Sequence, residues 1–455
     1  MRSFPVLLLF VLNCCLVSAA EIKRPNIVLM MADDIGYECL SCYGSELYST
    51  PNIDKLAASG IKFNHAHSQP ICTPSRVQIM TGIYNNRNYV KFGILDPAAK
   101  TFGSYLQEAG YKTCIAGKWQ LEGGFEGPVN FGFEKYCLWQ LTRRPSRYPN
   151  PGLEIDGVSK DFKDGSFGPD VVVDYIQDFI TANKDEPFFV YYPMIAPHWP
   201  FVPTPDHPDW DPRMWRDKKN EPGGYHEQTY WDAMVKYTDK MVGRVVDHLE
   251  KTGLRENTLV IWTGDNGTYT GVKSVFQGAP YVGGKGSPKD SGTHVGFVMS
   301  QPGLVEGGQV SDELVDFSDL LPTVVETAGG TVPDGIDGKS LVPVLKGESR
   351  DKDHIYCWYS RDGIRKTASQ HTRNQRYKLY SDGRLFDTVN DRQEKNNLAE
   401  QKDHDVFKSD YQVLKTALDR HVAVTKAADA AQSAKREAMS RKARPKTDKK
   451  KKKSV

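Results

Sequence analysis

The stretch NIVLMMADD, residues 26–34, runs through five apolar residues after Asn26 and ends in two acids. A continuous apolar run without polar alternation is typical of a strand that is buried on both faces of a parallel sheet. The run stops at Ala32, and Asp33 and Asp34 follow at once. Because α/β proteins place their sites at the carboxyl ends of such strands, the sequence predicts a functional sheet edge here.

Two further apolar runs end in the same way. Residues 258–263 (TLVIWT) lead into Gly264-Asp265-Asn266-Gly267, and residues 187–192 (PFFVYY) precede Ala196-Pro197-His198. Alternation of strands with helices over some 300 residues predicts an α/β fold with a mostly parallel sheet. Apolar residues at helical spacing mark the intervening helices, at residues 50–60, 170–182 and 231–249.

The length of 455 residues suits two or more domains, or one large α/β domain with an appendage, and the 39% hydrophobic content is that of a globular protein. After residue 350 the pattern changes to short strands separated by turn residues, which indicates a small antiparallel sheet. We therefore predict a large, mostly parallel central sheet flanked by helices over residues 21–347. A smaller α+β subdomain, with an antiparallel sheet and a helix from about 406 to 424, follows over residues 348–425.

The two ends of the chain have their own patterns. Residues 1–20 combine Arg2, an apolar run over residues 6–12 and small residues up to Ala20, which is the pattern of a signal peptide. It predicts a secreted or periplasmic protein, and no later apolar run is long enough for a membrane span. The tail, residues 426–455, is predicted to be disordered. Its residues 434–455 carry eleven Lys or Arg against two Asp or Glu. This charge is typical either of a solvated tail or of an electrostatic tether to polyanions.

Cysteine usage leaves one question open. In an oxidising compartment disulfides are the default, but setting Cys72 aside leaves five cysteines, so at least one is unpaired within a monomer. The six cysteines beyond residue 20 are Cys39, Cys42, Cys72, Cys114, Cys137 and Cys357.

The polar residues after the strands suggest a metal and an anion. Asp33, Asp34, Asp265 and Asn266 offer only oxygen ligands, which suit Ca²⁺ or Mg²⁺ and not zinc. Basic or hydrogen-bond-donating side chains occur in glycine-rich or proline-rich turns. A metal cation together with Arg and Lys side chains is able to bind a tetrahedral anion such as phosphate or sulfate. These groups are Arg76, Lys118, His198 and Lys285.

The segment Cys72-Thr73-Pro74-Ser75-Arg76 resembles the C-x-P-S-R signature of the type I, formylglycine-dependent sulfatases of the alkaline phosphatase-like superfamily. Further matches to that family follow in order from about Pro25 to Ala399. They are Pro51 to Ala57 (PNIDKLA), Met80-Thr81-Gly82, Gly110 to Trp119, Gly264 to Gly267, Gly335 to Leu341 and Asn396 to Ala399.

The resemblance implies a sulfuric ester hydrolase. A separate maturation enzyme would oxidise Cys72 to Cα-formylglycine, whose hydrated aldehyde attacks sulfur, releases the alcohol and then eliminates sulfate. The implied calcium ligands (magnesium being an alternative) are Asp33, Asp34, modified Cys72, Asp265 and Asn266. The implied catalytic residues are Cys72 itself, Arg76 and Lys118 at the diol, and Lys285 and His198 at the sulfate and the leaving oxygen.

Two positions depart from the family pattern. Relatives usually continue Lys118-Trp119 with a histidine that takes the diol proton, whereas this chain has Gln120, which cannot act as a base near pH 7. His294 stands where relatives commonly carry Arg, and it is expected to support the site.

The expected substrate is a sulfated carbohydrate or an aryl sulfate, with neither nucleic acid nor a membrane as partner. One alternative is a phosphoryl or phosphonate ester hydrolase of the same superfamily, and another is a catalytically silent sulfoglycan-binding protein. Five aromatic residues are candidates either for a sugar subsite or for ordinary packing: Trp139, Tyr148, Trp210, Trp215 and Tyr225.

Overall fold

The computed structural model describes residues 24–213, 228–400 and 405–443. Its strands, in chain order, are β1 (Asn26–Ala32), β2 (Ile61–His67), β3 (Lys112–Lys118), β4 (Lys135–Trp139), β5 (Gly152–Ile155), β6 (Val158–Asp161), β7 (Phe188–Pro193), β8 (Thr258–Gly264), β9 (Lys273–Phe276), β10 (Ala279–Val282), β11 (Phe297–Ser300), β12 (Gln309–Asp316), β13 (Ile355–Tyr359), β14 (Ser369–Arg373), β15 (Tyr377–Tyr380) and β16 (Leu385–Asp387).

The helices are α1 (Pro51–Ala58), α2 (Cys72–Thr81), α3 (Asn85–Asn88), α4 (Phe102–Glu108), α5 (Glu126–Asn130), α6 (Gly168–Ala182), α7 (Gln228–Lys251), α8 (Asp290–Thr293), α9 (Leu320–Thr327), α10 (Val342–Leu345) and α11 (Lys408–Ala443).

A ten-stranded sheet forms the centre of the molecule, in the order β12-β2-β11-β8-β1-β7-β3-β4-β5-β6. The strands β8, β1, β7, β3 and β4 run parallel to one another, so their carboxyl ends lie along one edge. Strand β11 runs antiparallel between β8 and β2, which turns the end of β2 toward the same edge. The prediction of a large, mostly parallel sheet is confirmed.

The strand β1 is buried on both faces, as its sequence predicts. Ile27, Leu29 and Met31 pack into one core layer, which also contains α2, α4 and α9. Val28 and Met30 face the other layer, with α1, α6 and α7. Helices thus cover both faces of the sheet, and only its edge remains for a site.

The C-terminal part contains the predicted antiparallel sheet, in the order β13-β14-β15-β16. Helix α11 packs on it through Leu414 and Leu418, and the Thr372 hydroxyl donates to the Leu414 carbonyl at 2.9 Å. The helix continues to Ala443. The predicted helix end near residue 424 was therefore placed too early, and the helix enters the region that was predicted to be a disordered tail.

Two other expectations are settled differently. All six cysteines of the described residues are free, so the expectation of disulfides is wrong for this part of the chain. Five of them are buried, and Cys42 is half-buried. Residues 1–20 and the end of the tail lie outside the described residues. Among the helices that are described, none is long and apolar enough to cross a membrane.

Candidate active site

The predicted site residues meet at the carboxyl edge of the central sheet. Asp33 and Asp34 follow β1, Asp265 follows β8, and Lys118 ends β3. Ligand atoms of Asp33, Asp34, Cys72 and His198 all lie within 4.8 Å of one another. The edge of the sheet therefore brings together residues that are far apart in the sequence, such as Asp34 and Lys285, which are 251 positions apart.

Cys72 opens helix α2, five residues after β2 ends, and is buried. Pro74 lies in the first turn, where its missing N–H costs no helical hydrogen bond. The Cys72 Sγ lies 3.3 Å from Asp33 Oδ1 and 3.8 Å from Asp34 Oδ1. Burial, with the charges of Asp265 and Asp33, raises the pKa of the Cys72 thiol well above its usual range, so an unmodified thiol here stays neutral.

The acidic side chains form one connected, fully buried group. The backbone N–H of Asp34 donates to Asp265 Oδ1 at 3.0 Å, and Asn266 Nδ2 donates to Asp34 Oδ1 at 3.0 Å. The Asn266 Oδ1 is buried without a hydrogen-bond partner. An unsatisfied amide oxygen among buried carboxylates is a fitting ligand for a hard cation, so this donor set suits Ca²⁺ or Mg²⁺.

Three cationic side chains balance the three carboxylates. Lys118 Nζ lies 2.6 Å from Asp33 Oδ2, and Lys285 Nζ lies 2.5 Å from Asp34 Oδ2. Arg76 Nη2 lies 3.4 Å from Asp265 Oδ2.

The carboxyl groups respond differently to this balance. Burial opposes ionisation of Asp33, but Lys118 holds its pKa well below its usual range. Burial and the neighbouring Asp33 raise the pKa of Asp265 to about 7. Of the two, Asp265 is therefore the carboxyl whose charge is less fully compensated by the protein.

The open side of the site is defined by His198 and Lys285. Their side chains are 18% and 15% exposed, whereas those of Arg76 and Lys118 are 1% exposed. His198 Nε2 lies 3.6 Å from Asp34 Oδ2, and burial lowers the pKa of His198 to about 3. A neutral imidazole and an ammonium group thus lie on the more exposed side of the site.

The two departures from the family pattern lie in different places. Gln120 adopts φ 58°, and its Oε1 accepts from the Thr73 hydroxyl at 3.3 Å, beside Cys72. His294 lies farther away, with Nδ1 3.2 Å from Asp290 Oδ2 and Nε2 2.9 Å from the Asn64 carbonyl oxygen. It joins neighbouring elements, and no hydrogen bond links it to the carboxylates of Asp33, Asp34 or Asp265 among the described residues.

The sequence interpretation missed Arg147. Its Nη1 donates to His198 Nδ1 at 2.9 Å, and its guanidinium carbon lies 4.0 Å from the centre of the Trp139 ring. The same His198 nitrogen lies close to the Trp199 carbonyl. The signal that could have found it is the arginine-rich segment LTRRPSR, which directly follows a strand of the catalytic edge.

The candidate aromatic residues are mostly packing residues. Tyr148 is buried, and its hydroxyl donates to the Ile195 and His198 carbonyls. Trp210 packs edge to face against Phe167. Trp139 is buried and supports Arg147, while Trp215 and Tyr225 lie outside the described residues.

Comparison with known proteins agrees with this arrangement. The family model described as "Sulfatase" matches residues 25–330, and "N-sulphoglucosamine sulphohydrolase, C-terminal" matches residues 289–421. The chain belongs to the sulfatase family, and it is a sulfuric ester hydrolase with an alkaline phosphatase-like fold.

Individual relatives cover most of the chain. The chain is 25% identical to the N-acetylglucosamine-6-O-sulfatase of Bacteroides thetaiotaomicron, over 87% of this chain and 86% of that protein. It is 27% identical to the ulvan-active sulfatase of Formosa agariphila, over 82% and 68%. Among solved structures, Ps i-CgsB in complex with k-i-k-neocarrahexaose aligns with a TM-score of 0.70 at 28% identity, covering 88% of this chain and 92% of that one.

Proposed function

We propose that this sulfatase hydrolyses sulfate esters of a carbohydrate, with Cys72 converted to Cα-formylglycine and a calcium ion held beside it. The observation that carries the proposal is the position of Cys72. It lies at a helix N-terminus within reach of Asp33 and Asp34, with Lys118 and Lys285 paired to those carboxylates.

The surroundings of Cys72 argue against a role as a thiolate. Reactive cysteines lie in electropositive surroundings that lower the pKa of the thiol, whereas Cys72 is buried against carboxylates and its pKa is raised. An aldehyde at this position needs no thiolate, because its hydrate supplies the hydroxyl nucleophile. A separate formylglycine-generating enzyme is therefore proposed as a partner of the newly made chain.

The metal ligands would be the oxygens of Asp33, Asp34, Asp265 and Asn266, together with modified Cys72. A calcium ion bound there would supply positive charge beside the sulfate, and magnesium suits the same oxygens less well because it requires a stricter octahedral geometry. The orphaned Asn266 Oδ1 supports this assignment.

The cationic side chains have complementary proposed roles. Arg76 and Lys118, both buried, would hold the nucleophilic group and stabilise negative charge that develops next to it. Lys285 and His198, on the open side, would hold the sulfate and assist the leaving oxygen. These roles follow the depth of each side chain in the site.

A carbohydrate substrate is supported by the relatives. The N-acetylglucosamine-6-O-sulfatase is named for a sugar sulfate, and Ps i-CgsB was solved with k-i-k-neocarrahexaose. Secretion or export to the periplasm is proposed from the signal-peptide pattern of residues 1–20, and sequencing the N-terminus of the exported protein tests it.

Mass spectrometry of the tryptic peptide Phe63–Arg76 tests the modification of Cys72. The protein should be produced in a host that has the maturation enzyme, and the aldehyde mass is expected. Sulfate release from sulfated saccharides should disappear in Cys72→Ala, while Cys42→Ala serves as the matched control. A thiol mass in active protein, or release of phosphate but not sulfate from paired aryl esters, would contradict the proposal.

A further inference from the structure

A cavity of about 350 Å³ lies between strand β2 of the central sheet and strand β14 of the C-terminal part. Residues of the hairpin β9–β10, of helix α8 and of the segment that follows β16 complete its wall. None of the candidate catalytic or metal-binding residues, all of which the structure describes, lines it. Its lining residue Lys62 precedes His67 by five residues along β2, so this wall lies roughly 16 Å back from the catalytic end of that strand.

The cavity holds an excess of positive charge. No ion pair to a carboxylate is found for its lining residues Lys62 and Arg392 among the residues that the structure describes. The third Lys or Arg side chain of the lining, Arg373, is paired with the lining carboxylate Asp290 at 2.5 Å. Asp312 lies outside the lining, and its side chain is 76% exposed, so water screens its charge. Two positive charges therefore remain in the cavity without a carboxylate partner.

Aromatic rings hold both of these cations in place. Lys62 Nζ lies 4.9 Å from the centre of the Tyr43 ring, and Arg392 Cζ lies 5.1 Å from the centre of the Phe276 ring. Tyr37 packs edge to face against both rings, with centroids 6.3 Å from Tyr43 and 4.9 Å from Phe276. The two cations thus lie at the two ends of one row of rings. Because the rings already restrict them, they lose less freedom when they bind an anion.

The remaining polar groups of the wall are neutral. His65 Nδ1 is buried without a hydrogen-bond partner among the described residues, and burial lowers the pKa of His65 to about 4, so the ring is uncharged near pH 7. The side-chain amides of Asn64, Gln277 and Gln375 line the same cavity. Cations together with neutral hydrogen-bonding groups are able to bind an oxyanion, and a row of aromatic rings suits the apolar face of a sugar.

We propose that this cavity binds an oxyanion, a sulfate or a carboxylate group, between Lys62 and Arg392. The anion is either free in solution or carried on a saccharide. A saccharide bound here is held on the protein apart from the catalytic edge, so the site is an additional one and not part of the hydrolytic centre. The inference concerns binding alone and does not require that the protein hydrolyses the same ligand.

Hydrogen exchange of the peptides that cover residues 273–282 and 388–394, titrated with small ligands, reads binding at the cavity itself. Cys72→Ala protein is used as the parent, because it lacks the proposed nucleophile and therefore leaves the ligands intact. The probes are N-acetylglucosamine 6-sulfate, glucuronic acid, inorganic sulfate and neutral N-acetylglucosamine, at constant ionic strength. At least one of the three anions should slow exchange of these peptides at a concentration where the neutral sugar does not.

Three substitutions in the parent locate the binding. Arg392→Met and Lys62→Met should each raise the concentration for half-maximal protection by roughly 10- to 100-fold, the range for a hydrogen bond to a charged group. Arg392→Lys keeps the charge and should retain part of the affinity. Lys346→Met removes an exposed lysine outside the cavity and is the matched control, which should bind as the parent does. Equal urea midpoints for these variants and the parent show that the fold is retained.

The outcomes separate the possibilities. Unchanged protection in both Arg392→Met and Lys62→Met would overturn the proposal, and so would the absence of protection by any of the three anions. Tighter binding of the sulfated sugar than of inorganic sulfate would assign the site to a saccharide, and equal binding would assign it to a free anion. Tighter binding of glucuronic acid than of either sulfate would assign it to a carboxylate. Each of these three results supports an oxyanion site if the cavity variants lose it.

Discussion

The free energy of unfolding of the wild-type protein should fall as the pH rises, because Glu38 is buried. Replacing Glu38 by glutamine is expected to abolish this fall. Glu38 lies four residues beyond Asp34 and is 1% exposed. The Cys39 thiol approaches its Oε1 at 3.8 Å, and its Oε2 is buried without a hydrogen-bond partner. Burial raises the pKa of Glu38 from 4.5 to about 7, and no ion pair to it is found within residues 24–213, 228–400 and 405–443.

The magnitude follows from linkage between protonation and folding. Below pH 4.5, Glu38 is protonated in both the folded and the unfolded chain, so folding carries no ionisation penalty. Between pH 4.5 and about 7 the unfolded chain releases a proton that the folded chain keeps, and stability falls by about 1.4 kcal/mol per pH unit. By pH 8 the loss attributable to Glu38 amounts to about 3 kcal/mol.

Urea denaturation of wild-type protein and Glu38→Gln between pH 4.5 and pH 8.5 measures this loss. The free energies of unfolding should diverge by about 3 kcal/mol toward pH 8, because the neutral amide carries no penalty, and then stay parallel. Exposed Glu108→Gln is the control, and its curve should follow the wild type. Parallel curves for wild type and Glu38→Gln over the whole range would refute the reasoning.

Three further changes test other parts of the site. Lys118→Met leaves the buried Asp33 carboxylate uncompensated and should lower the free energy of unfolding by about 3–5 kcal/mol when EDTA is present. The loss should be clearly smaller when calcium is present. Equal losses in EDTA and in calcium would contradict a cation beside Asp33. Gln120→His places an imidazole beside Thr73, and histidine tolerates the left-handed backbone conformation of this position. Because the imidazole can accept a proton near pH 7, kcat for sulfate release should rise by about tenfold or more. An unchanged or lower kcat would show that proton removal is not rate-limiting. Gly117→Ala places a Cβ 2.0 Å from the Pro193 carbonyl oxygen. It should lower the free energy of unfolding by several times the ~1–2 kcal/mol expected for the control Gly124→Ala, where φ is positive but no atom lies within 4 Å of the new Cβ. Equal urea midpoints for the two variants would contradict the contact with Pro193.

The clustering of the acidic side chains was predictable from sequence because it depends on strand ends. Once residues 26–31 and 258–263 are assigned to parallel strands, Asp33 and Asp265 must lie at one edge, and β1 does pair with β8 in parallel. The cationic partners were predictable only as types. Which carboxylate each lysine meets depends on loop paths, such as the hairpin β9–β10 before Lys285, which no local pattern encodes.

The features that the sequence did not predict depend on tertiary burial. Glu38 looks like a surface acid in a turn until the structure encloses it, and Arg147 looks like one of three solvated arginines until its loop folds onto Trp139. The prediction of disulfides was wrong for the same reason. An oxidising compartment favours disulfides, but the packing of the chain decides whether two cysteines come close enough to form one.

The pairing of lysines with carboxylates also indicates how the site prepares for its substrate. Without an added ion, Asp33 and Asp34 neutralise Lys118 and Lys285, so neither ammonium group has charge to spare for a sulfate. A divalent cation among the oxygens of Asp33, Asp34 and Asn266 would compensate those carboxylates and free both lysines for the anion. We therefore expect the affinity for sulfate to rise with added cation by more than a direct contact between cation and sulfate would account for. In Lys285→Met this rise should be smaller.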